Sequence, residues 1–504
     1  MSLSRRRFLT SASALALLPA LPGSGSATAA SMPFDRDLVV AEARDLASRP
    51  YAERPKVPQA WQDLTYEEYR SIRFRLDKAL WYETPTPFNV DFFTPGLYFP
   101  HAVKVFEVED GQARPVGFDL AMFDKGKEVP HLPVDDTLGF SGLRLRTEMH
   151  RPGKTDEFCV FQGASYFRAI GLHEAYGLSA RGLAIRTGDP RGEEFPDFIR
   201  FWLERPATGQ TNMVVHALLD SPSVTGAYRF DITAGEDCVM NVEATLFPRE
   251  ELDNVGIGPL TSMFLFDATN RTRFDDFRPA VHDSDGLQVA NGAGEILWRP
   301  LANPKTLQLS HFVDENPRGF GLMQRARAFS DFNDLEAVYH KRPGLWVEPL
   351  GDWGKGTVTL VEIPADKEIY DNIVAYWRPA APFAAGEMVN LSYRLTWGEE
   401  PHRTDLPRVI ESSMGAHTFG KGRLAIVEFE ANPVFDDGPD AMAIYVQSPH
   451  AEVTQGVLQR NPDTGGMRLA FGFDPAERDH VELRAQLRKD GAAASEVWLY
   501  RWTA

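Results

Sequence analysis

The sequence predicts an all-β protein, a large β-sandwich or barrel followed by a smaller immunoglobulin-like sandwich. Three observations lead there. From about residue 85 onward the chain is a series of short, half-alternating apolar runs separated by Gly, Pro, Asn and Asp. No run of this kind alternates with a long helical pattern, as a parallel βαβ sheet would require. The composition, with 40 Gly, 36 Pro and 33 Phe in 504 residues, suits many turns and aromatic-packed sheets better than a helical bundle.

The elements follow in order. Residues 1–30 read as an export signal and are excluded from the fold. The stretch SRRRFLT (residues 4–10) has the twin-arginine pattern, followed by the apolar run SASALALLPALP and the small-residue cleavage site ATAA. The spacing of Leu38, Val39, Ala41 and Leu46 predicts a helix stopped by Pro50, and LTYEEYRSIRF predicts a second, shorter one. GLYFPHAVKVFEVED, LRLRTEM, NMVVHALLD, AYRFDITAG and VMNVEATLFP then read as strands. DNIVAYW (residues 371–377) reads as a buried strand opened by a carboxylate, Asp371, which strand parity places on the face of Ile373, Ala375 and Trp377. The polar loop at 398–407 separates a first domain (31–397) from a second (408–504). In the second, RLAIVEFEA, AMAIYVQS, VTQGVLQRN, MRLAFGFDP, VELRAQLRKDG and SEVWLYRW supply the strand count of an immunoglobulin-like sandwich.

Charge and spacing exclude several functions. The formal charge is −18, and removing Arg5, Arg6 and Arg7 with the signal takes it to −21. Such a chain repels nucleic-acid phosphates and anionic lipid, so no nucleic-acid partner is expected. No later segment approaches the roughly 20 apolar residues of a membrane span. GDWGKGT lacks phosphate-loop spacing. The 12 His show no paired metal-ligand spacing, and DSDG lacks the rest of a calcium loop, so neither a metal nor a cofactor is expected. No GxSxG elbow is present. Two cysteines, Cys159 and Cys238, either pair or stay as buried thiols.

What remains is carboxylates near aromatics and arginines. Tyr166 and Arg181 lie in one Gly-broken segment, Glu193 and Glu194 in GEEFPDFIRFWLERP, and Trp346, Glu348, Asp352 and Trp353 in RPGLWVEPLGDWGKG. Sugars are neutral, with apolar faces that stack on rings and hydroxyls that bind charged groups. This composition suits a sugar cleft.

The blocks GASYFRAIG, YGLSARGLAI, GEEFPDFIRFWLERP, ALLDSPSVTGAYRF, HDSDGL, ENPRGFGLMQR, GDWGKGTVTLVEIP and DNIVAYW resemble, in order, those of the periplasmic glucan biosynthesis proteins G and D, over about residues 35–397. The twin-arginine signal is closer to the D branch. The resemblance implies a galactose-mutarotase-like β-sandwich joined to an immunoglobulin-like domain, a periplasmic location and action on β-1,2-linked glucan. It implies an anomer-inverting glycosidase or transglycosylase whose general acid falls on Asp371 and whose base falls on Asp283, with Tyr339 and Glu368 near the reaction centre. Tyr166, Arg181, Glu194, Trp353 and Trp377 complete the set of expected sugar contacts. Asp371 is expected to be desolvated beside Trp377, and Asp283 to stay solvated and ionised. Ile369 and Tyr370 stand where hydrolytic members of the G branch have small polar residues, which favours a sugar hydroxyl over water as acceptor and with it transglycosylation or ring closure. The competing reading is a non-catalytic glucan carrier that assists a membrane glucan synthase in export or branching. A homodimer is a further expectation.

Overall fold

The computed structural model describes residues 31–418 and 422–504, so the twin-arginine reading of residues 4–10 lies outside the described part. Both early helices form. Asp35 caps Arg36–Ala47, its carboxylate accepting from the Leu38 amide at 2.9 Å, and Val39 and Ala43 are the buried face. Thr65 and Glu68 form a reciprocal capping box on Tyr66–Arg70. Among the described residues no helix is long and apolar enough to cross a membrane.

The rest is mainly β-sheet, as expected. One sheet of sixteen strands runs antiparallel through Asp197–Glu204, Asn212–Asp220, Val224–Thr233, Cys238–Pro248, Val389–Gly398, Gly344–Pro349 and Gly319–Met323. A second, of ten strands, runs from Gln308–Glu315 through Lys355–Glu362, Ile373–Pro379 and Val255–Ser262 to Ser179–Arg181, Tyr166–Ala169 and Phe88–Phe93. The two share one apolar core. Phe161 and Phe167 of the smaller sheet meet Phe230 of the larger edge-to-face, with both centroid separations 5.2 Å. Burial of the strands' apolar residues, along Val255–Ser262 and Gly319–Met323 at every position, supplies most of the stabilisation, at about 25 cal/mol per Å² of apolar surface.

Two local differences from the sequence reading have plain causes. Only Lys104–Glu109 of GLYFPHAVKVFEVED is a strand of any length. Gly96 ahead of it takes a φ of 121°, and its place against the Trp61 carbonyl leaves no room for a Cβ, so the chain turns there. The carboxy-terminal unit is two-layered, but its layers are not separate from the first domain. Val409–Ala416, Arg423–Phe429 and Met467–Asp474 form one layer, with Glu452–Val453 and Val457–Arg460 along its far edge. The opposing layer, His480–Lys489 and Val497–Thr503, continues the sixteen-stranded sheet through a parallel pairing of Leu297 with Val497 and Trp298 with Trp498.

Buried charge holds this junction. Glu496 is fully buried and accepts from Arg325 at 2.8 Å, Gln288 at 2.9 Å and the Val409 amide at 2.9 Å. The 398–407 segment is docked onto it. His402 stacks on Trp346 at 3.9 Å and bonds to Gln288 at 3.0 Å. The segment therefore has a structural anchor at the junction. Cys159 and Cys238 are both free and buried.

Candidate functional site

Asp371 and Asp283 are far apart in sequence, and a short clamp brings them together. Phe264–Phe266 pairs with Val281–His282, setting Phe264 opposite His282. The next residue, Asp283, donates its amide to the Met263 carbonyl at 2.8 Å. On the other side, buried Asn372 grips Phe264 by both ends of its amide. Its Oδ1 accepts from the Phe264 amide at 2.8 Å, and its Nδ2 donates to the Phe264 carbonyl at 2.9 Å and to the Ile363 carbonyl at 3.0 Å. Asp283 is thus fixed to Met263 through its own backbone, and Asp371 adjoins Asn372, whose side chain is fixed to Phe264.

The electrostatics differ from the sequence expectation, and the two acids exchange environments. Asp371 lies just before the strand Ile373–Pro379 and its side chain is 41% exposed. Its partner is Arg168, 3.7 Å away on the strand Tyr166–Ala169. Trp377, expected beside it, is fully buried in the core and out of reach of a ligand. Parity carries Ile373, Ala375 and Trp377 inward, but the strand starts too late to take Asp371 with them. Asp283, expected to be solvated, is 5% exposed and ion-paired to Arg342. Burial pushes its carboxyl up to about 6; the Arg342 guanidinium opposes the shift and the Asp371 charge adds to it.

Tyr339 and Glu368 join the same cluster. The Arg342 guanidinium lies 4.4 Å from the centre of the Tyr339 ring. The Tyr339 hydroxyl donates to Glu368 at 3.1 Å, and Arg278 holds Glu368 at 2.8 Å. Burial, with the Glu368 charge, pushes the Tyr339 hydroxyl well up, so it stays a proton donor. Asp283, Arg342, Tyr339, Glu368 and Arg278 form one connected set, with Asp371 and Arg168 facing it.

The other expected contacts divide. Tyr166 lies under the Arg181 guanidinium at 4.8 Å, and the Asp371 charge acts on its hydroxyl, so this pair adjoins the site. Arg181 is buried, donating to Thr261 at 2.7 Å and Glu193 at 2.6 Å. Glu194 is spent on structure: it accepts from the Ser223 amide at 3.0 Å and hydroxyl at 2.7 Å, and from Arg186 at 2.9 Å. Its neighbour Glu193 is the carboxylate that meets Arg181. Trp353 packs on Trp377 and Tyr393 at 6.3 and 6.1 Å, beyond the far end of the strand that Asp371 precedes. Trp353, Trp377 and Glu194 are therefore removed from the cluster by position or by their own bonds.

Sequence reasoning missed Arg342, Arg168, Arg278 and Asn372. Only Asn372 carried a signal, a polar side chain opening an otherwise apolar strand. Among the described residues no group of three or more His, Cys, Asp or Glu is close enough to hold a metal ion.

The family model described as periplasmic glucan biosynthesis protein, MdoG, matches residues 34–502. Glucans biosynthesis protein G of Vibrio cholerae serotype O1 is 49% identical over 481 residues, covering 93% of this chain and 87% of the relative. The protein of the same name in Shewanella frigidimarina is 48% identical over 476 residues, covering 93% and 85%. Protein G 1 of Shewanella oneidensis is 47% identical over 476 residues, covering 93% and 87%. A solved polysaccharide lyase covers 72% of this chain at 12% identity with a TM-score of 0.18, too low to bear on the fold. These relatives carry the G name, so the comparison gives no support to the leaning toward the D branch. With a family match across nearly the whole chain and relatives near half identity, the protein belongs to the periplasmic glucan biosynthesis MdoG family.

Proposed function

We propose that the protein cleaves or rearranges β-1,2-linked glucan with inversion at the anomeric carbon, Asp371 acting as general acid and Asp283 as general base. The observation that supports this reading is the clamp through Met263, Phe264 and Asn372, which holds two carboxylates of unlike environment at one place. Glycosidic cleavage needs one carboxylic acid to protonate the leaving oxygen and one carboxylate to activate the acceptor, usually about 6.5–9.5 Å apart in inverting enzymes.

The roles follow from the surroundings. A base works best with a pKa just below the working pH, because it is then ionised yet still basic. Asp283, pushed to about 6 by burial and held ionised by Arg342, has that character. Tyr339, between Arg342 and Glu368, offers a hydroxyl that can pass a proton from acceptor to base. Asp371 is open to solvent in the free protein, so a bound sugar is what shields it from water. Arg168, 3.7 Å away, is the charged neighbour that substrate displaces.

Ile369 and Tyr370, 75% and 51% exposed, stand immediately before the acid. Apolar surface there disfavours an ordered water and favours a sugar as acceptor, hence transglycosylation or ring closure over hydrolysis. Mass spectrometry of linear β-1,2-glucan after incubation with the protein separates the outcomes. Products one water lighter than the matching linear chains indicate ring closure, and shorter linear chains indicate hydrolysis. Redistributed linear lengths with no new chain ends indicate transfer. Bound but unaltered glucan would overturn the enzymatic reading in favour of a carrier working with a membrane glucan synthase.

A further inference from the structure

The Tyr339 and Arg342 side chains beside Asp283 are carried by one turn, residues 334–342, and that turn is strained. Two backbone angles at it lie in the left-handed region. Asn333, which ends the helix Phe329–Phe332, has a φ of 53°, a conformation asparagine tolerates. Val338 has a φ of 44° and a ψ of 45°. A β-branched residue is an outlier there, because its Cβ crowds the following carbonyl.

What holds the turn is a hydrogen-bonded frame around Val338. Asp334, buried at its start, accepts through Oδ1 from the Glu336 amide at 2.8 Å and the Ala337 amide at 2.7 Å. The Ala337 carbonyl accepts from Arg342 Nε at 3.1 Å and Nη2 at 3.0 Å, which leaves Nη1 for Asp283. Ala337 is thus fixed at both its amide and its carbonyl, immediately before Val338. Beyond Val338, the Tyr339 carbonyl accepts from the Arg342 amide at 3.1 Å and from the Gln324 side chain at 3.3 Å. Asp334 is itself oriented from behind. Its Oδ2 accepts from Arg278 Nη1 at 2.8 Å, and the same nitrogen lies 2.8 Å from Glu368.

Strain of this kind persists only where the surroundings enforce it. Val338 stays left-handed because Asp334 and Arg342 grip Ala337 just ahead of it. Without the Asp334 grip, Val338 relaxes to an ordinary conformation, and Tyr339 and Arg342, which follow it in the chain, swing away from Asp283. We propose that Asp334 is a positioning residue, holding the turn of residues 334–342 so that Arg342 meets Asp283 and Tyr339 meets Glu368. The proposal rests on the glycosidase reading for the role of Asp283, but the placement of Arg342 is measurable without turnover.

The test is the titration of the Asp283 carboxyl, followed by carbon-13 NMR in full-length protein labelled at its aspartate carboxyls, with the signal identified by its loss in Asp283→Asn. The charges acting on Asp283 are those of Arg342, Asp371 and Arg168, with the Tyr339 hydroxyl beside them, and of these Arg342 and Tyr339 ride on the turn. Asp334→Ala removes the grip, so Arg342 withdraws and the midpoint rises by about one pH unit from its value of about 6. Asp334→Asn keeps the Oδ1 acceptor and loses only the charge, so its midpoint does not rise. Adding Val338→Gly to Asp334→Ala relieves the strain, since glycine enters the left-handed region freely, and brings the midpoint at least halfway back. Asp334→Ser, with a shorter and weaker acceptor, gives an intermediate rise and serves where the alanine variant does not fold. Glucan turnover falls by about a hundredfold in Asp334→Ala and is largely kept in Asp334→Asn. A midpoint equal to the parent's in Asp334→Ala, equal shifts in the alanine and asparagine variants, or a rise that Val338→Gly leaves in place would overturn the proposal. Glucan left unaltered by the parent would overturn the glycosidase reading alone, since the carboxyl midpoints are read without turnover.

Discussion

Replacing Asn372 by Ala tests the clamp directly, because that side chain makes three buried bonds to backbone. The substitution leaves the Phe264 amide, the Phe264 carbonyl and the Ile363 carbonyl without those partners in a site with little access to water. At about 1–2 kcal/mol for each orphaned group, the loss is about 3–6 kcal/mol. A 504-residue chain unfolding with about 2 cal/mol/K per residue has an unfolding entropy near 1 kcal/mol/K, so the thermal midpoint falls by about 3–6 °C. Asn372→Asp keeps the acceptor but turns a buried carboxyl oxygen toward the two carbonyls, so it destabilises at least as much as Asn372→Ala. Differential scanning calorimetry reads the shift, and glucan turnover below the transition reads the function. Turnover should fall by more than tenfold in Asn372→Ala even where the protein is folded, because Asp371 loses its fixed neighbour. A midpoint within 1 °C of the parent, or unchanged turnover, would refute the clamp as the device that positions Asp371.

Three further outcomes are expected. The rate constant kcat/KM for glucan should rise with pH along a limb centred near 6 as Asp283 ionises, and Arg342→Met should move that limb upward by removing the charge that favours the carboxylate; a pH–rate profile checks both. Glu174 is pushed up to about 7 by burial, so its native pKa exceeds the unfolded value of about 4.5. The folded state then holds more protons between those values, and stability falls as pH rises from about 4.5 to 7, by about 3 kcal/mol in all. Glu174→Gln should remove that fall, giving a midpoint about 3 °C higher than the parent at pH 8 and no gain at pH 4. Cys159 and Cys238, free, buried and with thiol pKa values pushed up by that burial, should resist iodoacetamide in the native protein and both react in denaturant, which mass measurement follows.

The β architecture was legible because short apolar, β-branched runs bounded by turn residues are a local property. NMVVHALLD and VMNVEATLFP announce their strands from their own residues, and both form as Asn212–Asp220 and Cys238–Pro248. The capped helix Arg36–Ala47 was legible for the same reason. The continuity of the sixteen-stranded sheet into the carboxy-terminal unit was not, since the Trp298–Trp498 pairing joins residues two hundred positions apart. The site shows the same division. Asp371 and Asp283 came from motifs, but their environments depended on where a strand begins and which arginine a loop delivers. Parity assigned Asp371 to the core face on the assumption that the strand includes it, and the strand begins at Ile373. Arg342 reaches Asp283 from a separate loop, next to a 3₁₀ turn, and nothing within HDSDGL hints at it. Trp353 and Trp377 followed from the general pairing of aromatics with sugars, yet here Trp377 fills the interior between sheets and partly buried Trp353 packs against it.

The proposal that Asp371 and Asp283 together carry out glycosidic chemistry on β-1,2-glucan requires that neither be lost without losing turnover. Its most direct test is the initial rate at which linear β-1,2-glucan is consumed by the parent, by Asp371→Asn and by Asp283→Asn, with circular dichroism confirming the fold of each. Measurable turnover by the parent is expected, with a loss of at least a thousandfold in both variants and glucan binding retained. Turnover by either variant at the parent's rate would contradict it.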